Sequence, residues 1–210
     1  MRTAITALAV ACAAAALYYT NGSSVGEVDN ADPTSAADTG GNTMDELMGL
    51  LGSVTATGAS AQTPQRQAWL DMIAISEGTF GVGDDGYNKL VNPGGLFGNG
   101  YVDHPRQLIH VGGSLWSTAA GRYQLLAKTW DSVRGAIGAS DFSPANQDAA
   151  AIELTRRRGA LDDVDAGNIA AAITKCNREW ASFAGSPYNQ HPHDMGTMLA
   201  WFQTQGGAIA

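Results

Sequence analysis

Apolar residues follow three different patterns along this chain. The opening stretch, MRTAITALAVACAAAALYYT, places one Arg before about 17 uncharged positions, mostly Ala, and closes on Tyr18 and Tyr19. A basic flank, a near-spanning apolar run and an aromatic end predict a signal-anchor or membrane helix over residues 1–21, its apolar part at 3–19. Alanine favours insertion less than Leu, Ile or Phe, so a marginal hold on the bilayer is expected. A buried Ala-rich helix is the other reading of this run. LAVAC matches a lipoprotein cleavage site only superficially, since the apolar run continues past Cys12.

Residues 22–62 carry little periodic apolar signal. Gly, Ser, Thr, Asp and Ala dominate, which predicts a flexible acidic linker. Inside it, MDELMGLLG at 44–52 is a candidate short helix, capped by Asn42 or Thr43, with Asp45 and Glu46 in its first turn. Its apolar face is Met44, Leu47, Leu50 and Leu51, and both a docking segment and a transient helix fit it.

The third pattern, over residues 63–207, is that of a globular domain. Thr63 followed by Pro64 predicts a helix start. Leu70, Ile73, Ala74 and Glu77 then fall at i, i+3, i+4 and i+7, with Trp69 and Met72 widening the apolar face and Gly78 placed to end the helix. Next come GYNKLV, GGLFG and RQLIHV, short apolar runs between Pro- and Gly-rich turns, which predict a small antiparallel sheet. STAAGRYQLLAKTW predicts a Gly turn opening a helix with Leu126, Trp130, Val133 and Ile137 on one side. Ser143-Pro144 starts another, ended by Gly159, with Arg156, Arg157 and Arg158 in its last turn. A further helix carries Ile169, Ala172, Ile173, Cys176 and Trp180, and the last carries Met195, Met198, Leu199 and Phe202. The expected fold is α+β: mostly helical, with a small antiparallel sheet inserted after the first domain helix.

Charge narrows the partners. Lys+Arg 12 against Asp+Glu 20 leave a formal charge of -8, and residues 1–60 hold a single base, Arg2, against six acids. No basic stripe exists to neutralise phosphates, so nucleic acid is not expected as a partner. Cys176 lies on an apolar stripe and reads as a reduced core thiol. A bond to Cys12 would require the first segment to leave the membrane. His191 and His193 flank Pro192 without metal-ligand spacing, so neither a metal nor another cofactor is expected.

Glu77 is the residue whose placement suggests chemistry. It continues a buried stripe at a helix C-terminus, where desolvation and the negative end of the helix dipole both disfavour the anion. A raised pKa suits a general acid. The alternative is a Glu paired with a core Arg.

Six segments, LDMIAISEGT, DHPRQLI, STAAGRYQLL, DFSPANQDAAA, RRRGAL and CNREWAS, stand in an order and spacing that resemble the phage lambda endolysin family. SEGT alone is a weak signal and AGRYQ a moderate one, but six in order over residues 63–207 are specific. The resemblance implies a monomeric lysozyme-like fold and a lytic transglycosylase. Such an enzyme cuts peptidoglycan between N-acetylmuramic acid and N-acetylglucosamine, leaving a 1,6-anhydro sugar. The family's catalytic glutamate falls on Glu77. A transglycosylase needs no second protein carboxylate, because the substrate's own 6-hydroxyl attacks the anomeric carbon. Asp84, Asp85 and Asp103 accordingly read as turn or solvent-facing residues.

The resemblance also implies a cleft. Ser117, Thr118, Arg122, Tyr123 and Gln124 match its STAAGRYQ segment as candidate substrate-binding residues, and Tyr87, Tyr123 and Tyr188 are candidates to pack on sugar faces. Relatives carry Asp just after the Tyr of GY. Here Asn88 stands there, which leaves hydrogen bonding without charge. Arg122 also fits a structural pair with an acid, and Tyr123 also fits the core. The implied setting is the host periplasm, with the enzyme tethered to the inner membrane by residues 3–19 or released from it. Two rivals stay open: a virion-associated enzyme for genome entry, and an inactive cell-wall-binding or virion structural module.

Overall fold

The computed structural model describes residues 63–188 and 191–210. The expected membrane segment, the linker, its short helix and Cys12 lie outside the described residues.

Helix α1 (Pro64–Ser76) is the central element. Pro64 occupies its first turn, and the Thr63 hydroxyl accepts the Arg66 N–H at 3.2 Å. Ala68, Trp69, Leu70, Met72, Ile73, Ala74 and Ser76 are buried, so most of its circumference faces protein. It packs on α3 (Pro144–Arg157), α4 (Leu161–Ala166) and α6 (Met195–Thr204). Trp69 spans that core, with its indole N–H on Thr155 Oγ1 at 3.0 Å and its ring edge-on to Phe183. Burying such an aromatic contributes about 2–3 kcal/mol.

The end of α1 is built with care by local chemistry. The Gly78 N–H bonds the Ile75 carbonyl and the Thr79 N–H reaches back to Ala74, with Gly78 at φ +69°. This is a Schellman closure, in which glycine tolerates the left-handed backbone that a side chain resists. It sets Glu77 as the last residue before the chain turns away.

Residues 79–126 form the irregular half. Its sheet is β1 (Ile109–Gly112) paired antiparallel with β2 (Leu115–Ser117), Ile109 opposite Ser117. GYNKLV and GGLFG do not become regular strands: they contribute single bridges, Lys89 to Leu96 and Leu90 to Ala120. Their Gly-rich turns reverse the chain before a ladder can extend.

The remaining helices are α2 (Ala127–Arg134) and α5 (Ile169–Cys176), beside α3, α4 and α6. Helix α2 starts later than the Gly turn suggests, because Ala120 and Leu125 exchange backbone bonds and close residues 121–124 into a tight loop. Gly121 is required there: a Cβ would lie 2.2 Å from Gln147 Oε1. Short α4 had no periodic signal of its own, and Trp180 packs beyond the end of α5. Cys176 is buried and makes no disulfide among the described residues, and burial pushes its thiol up to about 12.

Candidate active site

Glu77 caps α1 and lines a pocket with Gly78, Thr79, Lys89, Leu90, Asn92 and Gln124. One wall is therefore the end of α1 and the other is the irregular half. By area the residue is only partly buried, yet protein surrounds the carboxyl closely enough to remove most of its hydration. That desolvation pushes its pKa up to about 7, against a downward pull from the Ser182 hydroxyl, which lies 2.6 Å from Oε1. Its position at the negative end of α1 acts in the same direction as desolvation. Among the described residues Glu77 makes no ion pair. The reading of a Glu held by a core Arg is thus not what the fold builds.

The buried arginine goes elsewhere. Arg122 is 2% exposed; its guanidinium bonds Asp71 Oδ1 at 2.6 Å and both the carbonyl and carboxylate of Asp85. The rings of Phe80 and Tyr87 lie 5.2 Å from its central carbon, and its Nε has no hydrogen-bond partner among the described residues. Thr79 donates its hydroxyl to the Arg122 carbonyl at 2.5 Å, which locks this loop to the end of α1. Arg122 is a strut of the pocket wall and offers no surface to a ligand.

Tyr123 is fully buried, so its ring is closed to a sugar. Its hydroxyl donates to Asp148 Oδ1 at 2.6 Å, and half-buried Tyr87 donates to the same oxygen at 2.9 Å. Burial raises the pKa of Asp148 while these two donors oppose the rise. Ser117 is also buried, where its hydroxyl accepts the Ala119 N–H. Thr118 accepts the Ala127 N–H and so caps α2. Asn88 accepts the Asp84 N–H at 3.0 Å and closes its own loop. Tyr188 donates to the Arg178 carbonyl and is not among the pocket-lining residues.

Gln124 is the candidate that the fold brings to Glu77. It lines the pocket at φ +49°, a left-handed backbone unusual for a residue with a side chain. Its amide donates to the Gly121 carbonyl at 2.9 Å. Such conformations cost about 1 kcal/mol or more and persist where surrounding structure fixes them, here the paired backbone bonds of Ala120 and Leu125.

The carboxylates considered as second catalytic groups are occupied. Asp84 accepts the Tyr101 hydroxyl at 2.5 Å, and Asp85 holds Arg122. Asp103 receives the Trp130 indole, Arg106 and Arg134; desolvation pushes its pKa up, and the His104 N–H, the Trp130 indole and Arg106 outweigh it and keep the pKa low. Sequence reasoning missed Ser182, Lys89 and Asn92. Ser182 closes the CNREWAS segment and Lys89 lies in GYNKLV, but nothing local marks them or Asn92 as neighbours of Glu77, and only the chain's return past α1 brings Ser182 to it.

The family model for Endolysin matches residues 67–209. The chain is 44% identical to the endolysin of Escherichia phage lambda over 151 residues, covering 69% of this chain and 93% of that protein. It is 40% identical to the endolysin of Escherichia phage P2 over 157 residues, covering 68% and 93%. Among solved structures, bacteriophage lambda lysozyme complexed with a chitohexasaccharide aligns with a TM-score of 0.67 at 43% identity, over 70% of this chain and 97% of that one. A second structure of lysozyme from bacteriophage lambda aligns with a TM-score of 0.64 at 41% identity over the same shares. A lysozyme-like domain, assembled around the end of α1 and matched along nearly the full length of these relatives, places this chain in the endolysin family.

Proposed function

We propose that the domain degrades peptidoglycan during host lysis as a lytic transglycosylase, cleaving the bond between N-acetylmuramic acid and N-acetylglucosamine and leaving a 1,6-anhydro end. The observation that carries this reading is the pocket's composition: Glu77 is its one carboxylate among the described residues, and the nearby acids serve as structural partners. A retaining glycosidase needs a second carboxyl about 5 Å away and an inverting one about 6.5–9.5 Å away. In the transglycosylase reading, neutral Glu77 protonates the leaving oxygen. The resulting carboxylate then takes the proton of the sugar's 6-hydroxyl as that oxygen bonds to the anomeric carbon. A pKa near 7 suits both halves of this cycle. The chitohexasaccharide held by the lambda lysozyme supports a glycan strand as ligand of the pocket.

Mass spectrometry of muropeptides released by residues 61–210 tests the reaction. Anhydro ends are expected, and reducing ends in their place would make the enzyme a hydrolase.

For delivery, we propose that residues 3–19 hold the enzyme at the periplasmic face of the inner membrane until release. The support is the basic flank, the length and the Ala-dominated composition. Replacing Ala13, Ala14, Ala15 and Ala16 by Leu adds apolar area at about 25 cal/mol per Å², which should retain the protein in membranes and delay lysis. Unchanged release and lysis timing would favour the virion-associated reading instead.

A further inference from the structure

Behind Glu77 three oxygen contacts run in line. Glu77 Oε1 lies 2.6 Å from Ser182 Oγ, Ser182 Oγ lies 3.0 Å from Ser76 Oγ, and Ser76 Oγ lies 2.8 Å from the Ile73 carbonyl oxygen. Both serines are buried. Each contact needs one proton, and two hydroxyls supply only two. The carbonyl only accepts, so Ser76 must donate to complete the inner contact. Ser182 must then donate to Ser76, and the third proton has to come from the carboxyl itself. In this form the chain runs outward, from Glu77 through Ser182 and Ser76 to Ile73.

The opposite direction is also available. The Ile73 carbonyl already accepts the Glu77 N–H at 2.9 Å, so it keeps a partner if Ser76 turns away. Ser76 then donates to Ser182, and Ser182 donates to Oε1. This form suits a carboxyl whose proton sits on Oε2, or has left. Oε2 makes no hydrogen bond among the described residues.

We propose that Ser182, with Ser76 behind it, is a reversible positioning pair for Glu77. It donates to Oε1 when that oxygen is bare, which leaves Oε2 to give a proton to the sugar and take one back. It accepts from Oε1 in the resting form that carries the proton there, and that proton exchanges to Oε2 through solvent before the acid step. The inference rests on the reading of Glu77 as acid and then base. In the acid step the proton leaves Oε2 for the glycosidic oxygen, while Ser182 donates to Oε1 as charge develops. In the second step Oε2 takes the proton of the 6-hydroxyl, and no proton leaves through the serines. Other ionisable groups around the pocket have separate places. Lys89 is in the lining, Asp71 is held by Arg122, and His193 Nε2 lies 3.2 Å from the Ser76 carbonyl oxygen.

The test is the pH profile of peptidoglycan cleavage by Ser182→Ala. The ionised carboxyl loses its charge-assisted donor, so the alkaline limb of kcat should move up by about one to two pH units. Maximal kcat should fall at least about tenfold, with KM within about twofold of wild type. Ser182→Cys keeps a weak donor and should show a smaller shift in the same direction, which preserves the test if the alanine variant does not fold. Adding Ser76→Ala to Ser182→Ala should cost little more, because the two act as one unit. His193→Gln should leave the limb in place. A folded Ser182→Ala protein with the wild-type profile, or fully additive losses in the double variant, overturns the pairing while leaving the transglycosylase reading intact. A folded, active Glu77→Gln protein overturns that reading itself.

Discussion

Two polar groups close to the end of α1, Glu77 lining the pocket and Arg122 buried outside its lining, are treated by the fold in opposite ways. Arg122 is enclosed by two carboxylates and two aromatic rings, so its charge is balanced before any ligand arrives. Glu77 has lost much of its solvent and gained one hydroxyl, that of Ser182, with no ion pair among the described residues. A compensated charge tightens a wall. An uncompensated one is poised to change protonation state, which is what acid–base chemistry requires. In the proposed reading the contrast gives stability to one group and reaction to the other, though both lie in segments shared with the family.

The largest expected effect breaks the reactive side. Glu77→Gln should lower cleavage of purified cell wall by about 10²–10⁴-fold, since an amide has no proton to deliver at neutral pH. Circular dichroism should show the fold intact. A folded variant that keeps a large share of wild-type turnover would remove Glu77 from the chemistry.

Arg122→Met tests the structural side. It leaves Asp71 and Asp85 without their cation in a partly buried site, and a loss of about 3 kcal/mol in urea unfolding is expected. If the midpoint stays put while cleavage collapses, Arg122 belongs to the reaction after all.

The pH dependence of stability sharpens the comparison. Glu77 has a folded pKa near 7, above its ordinary value of 4.5, so the folded state binds the extra proton between those values. Its contribution is complete below about pH 4.5 and is lost as pH rises through 7, amounting to roughly 3 kcal/mol. Glu77→Gln should therefore raise the thermal midpoint relative to wild type at pH 8 and leave it nearly unchanged at pH 4.5. Equal differences at both pH values would mean that the carboxyl is not desolvated.

Smaller effects are expected where polar groups are already matched. Tyr123→Phe removes one of two tyrosine donors to Asp148 and should cost about 1 kcal/mol of stability, with cleavage within a few-fold of wild type. Asp84→Asn and Asp103→Asn should likewise change cleavage by less than about tenfold. A loss at either one comparable to that of Glu77→Gln would point to a two-carboxylate hydrolase.

Local patterns in the sequence determine a good deal of this protein. Thr63-Pro64 starts α1, the apolar spacing through Ile73 buries it, and Gly78 ends it, because capping and periodicity depend on residues within a turn or two. The same locality makes Glu77 visible as a carboxylate on a buried stripe at a helix end. Short α4 and the true start of α2 were less legible, since closure of residues 121–124 depends on Ala120 meeting Leu125 and on Gln147 from α3. Tertiary structure alone decided what surrounds Glu77. Ser182 lies 105 positions away and reaches it only because α1 is packed from several sides. It also decided that Arg122 and Tyr123, fitting equally a cleft or a core by sequence, face Asp71, Asp85 and Asp148 and not the pocket. Which way a polar side chain turns depends on what the rest of the chain places beside it, and that is a property of packing, invisible to the spacing of its neighbours.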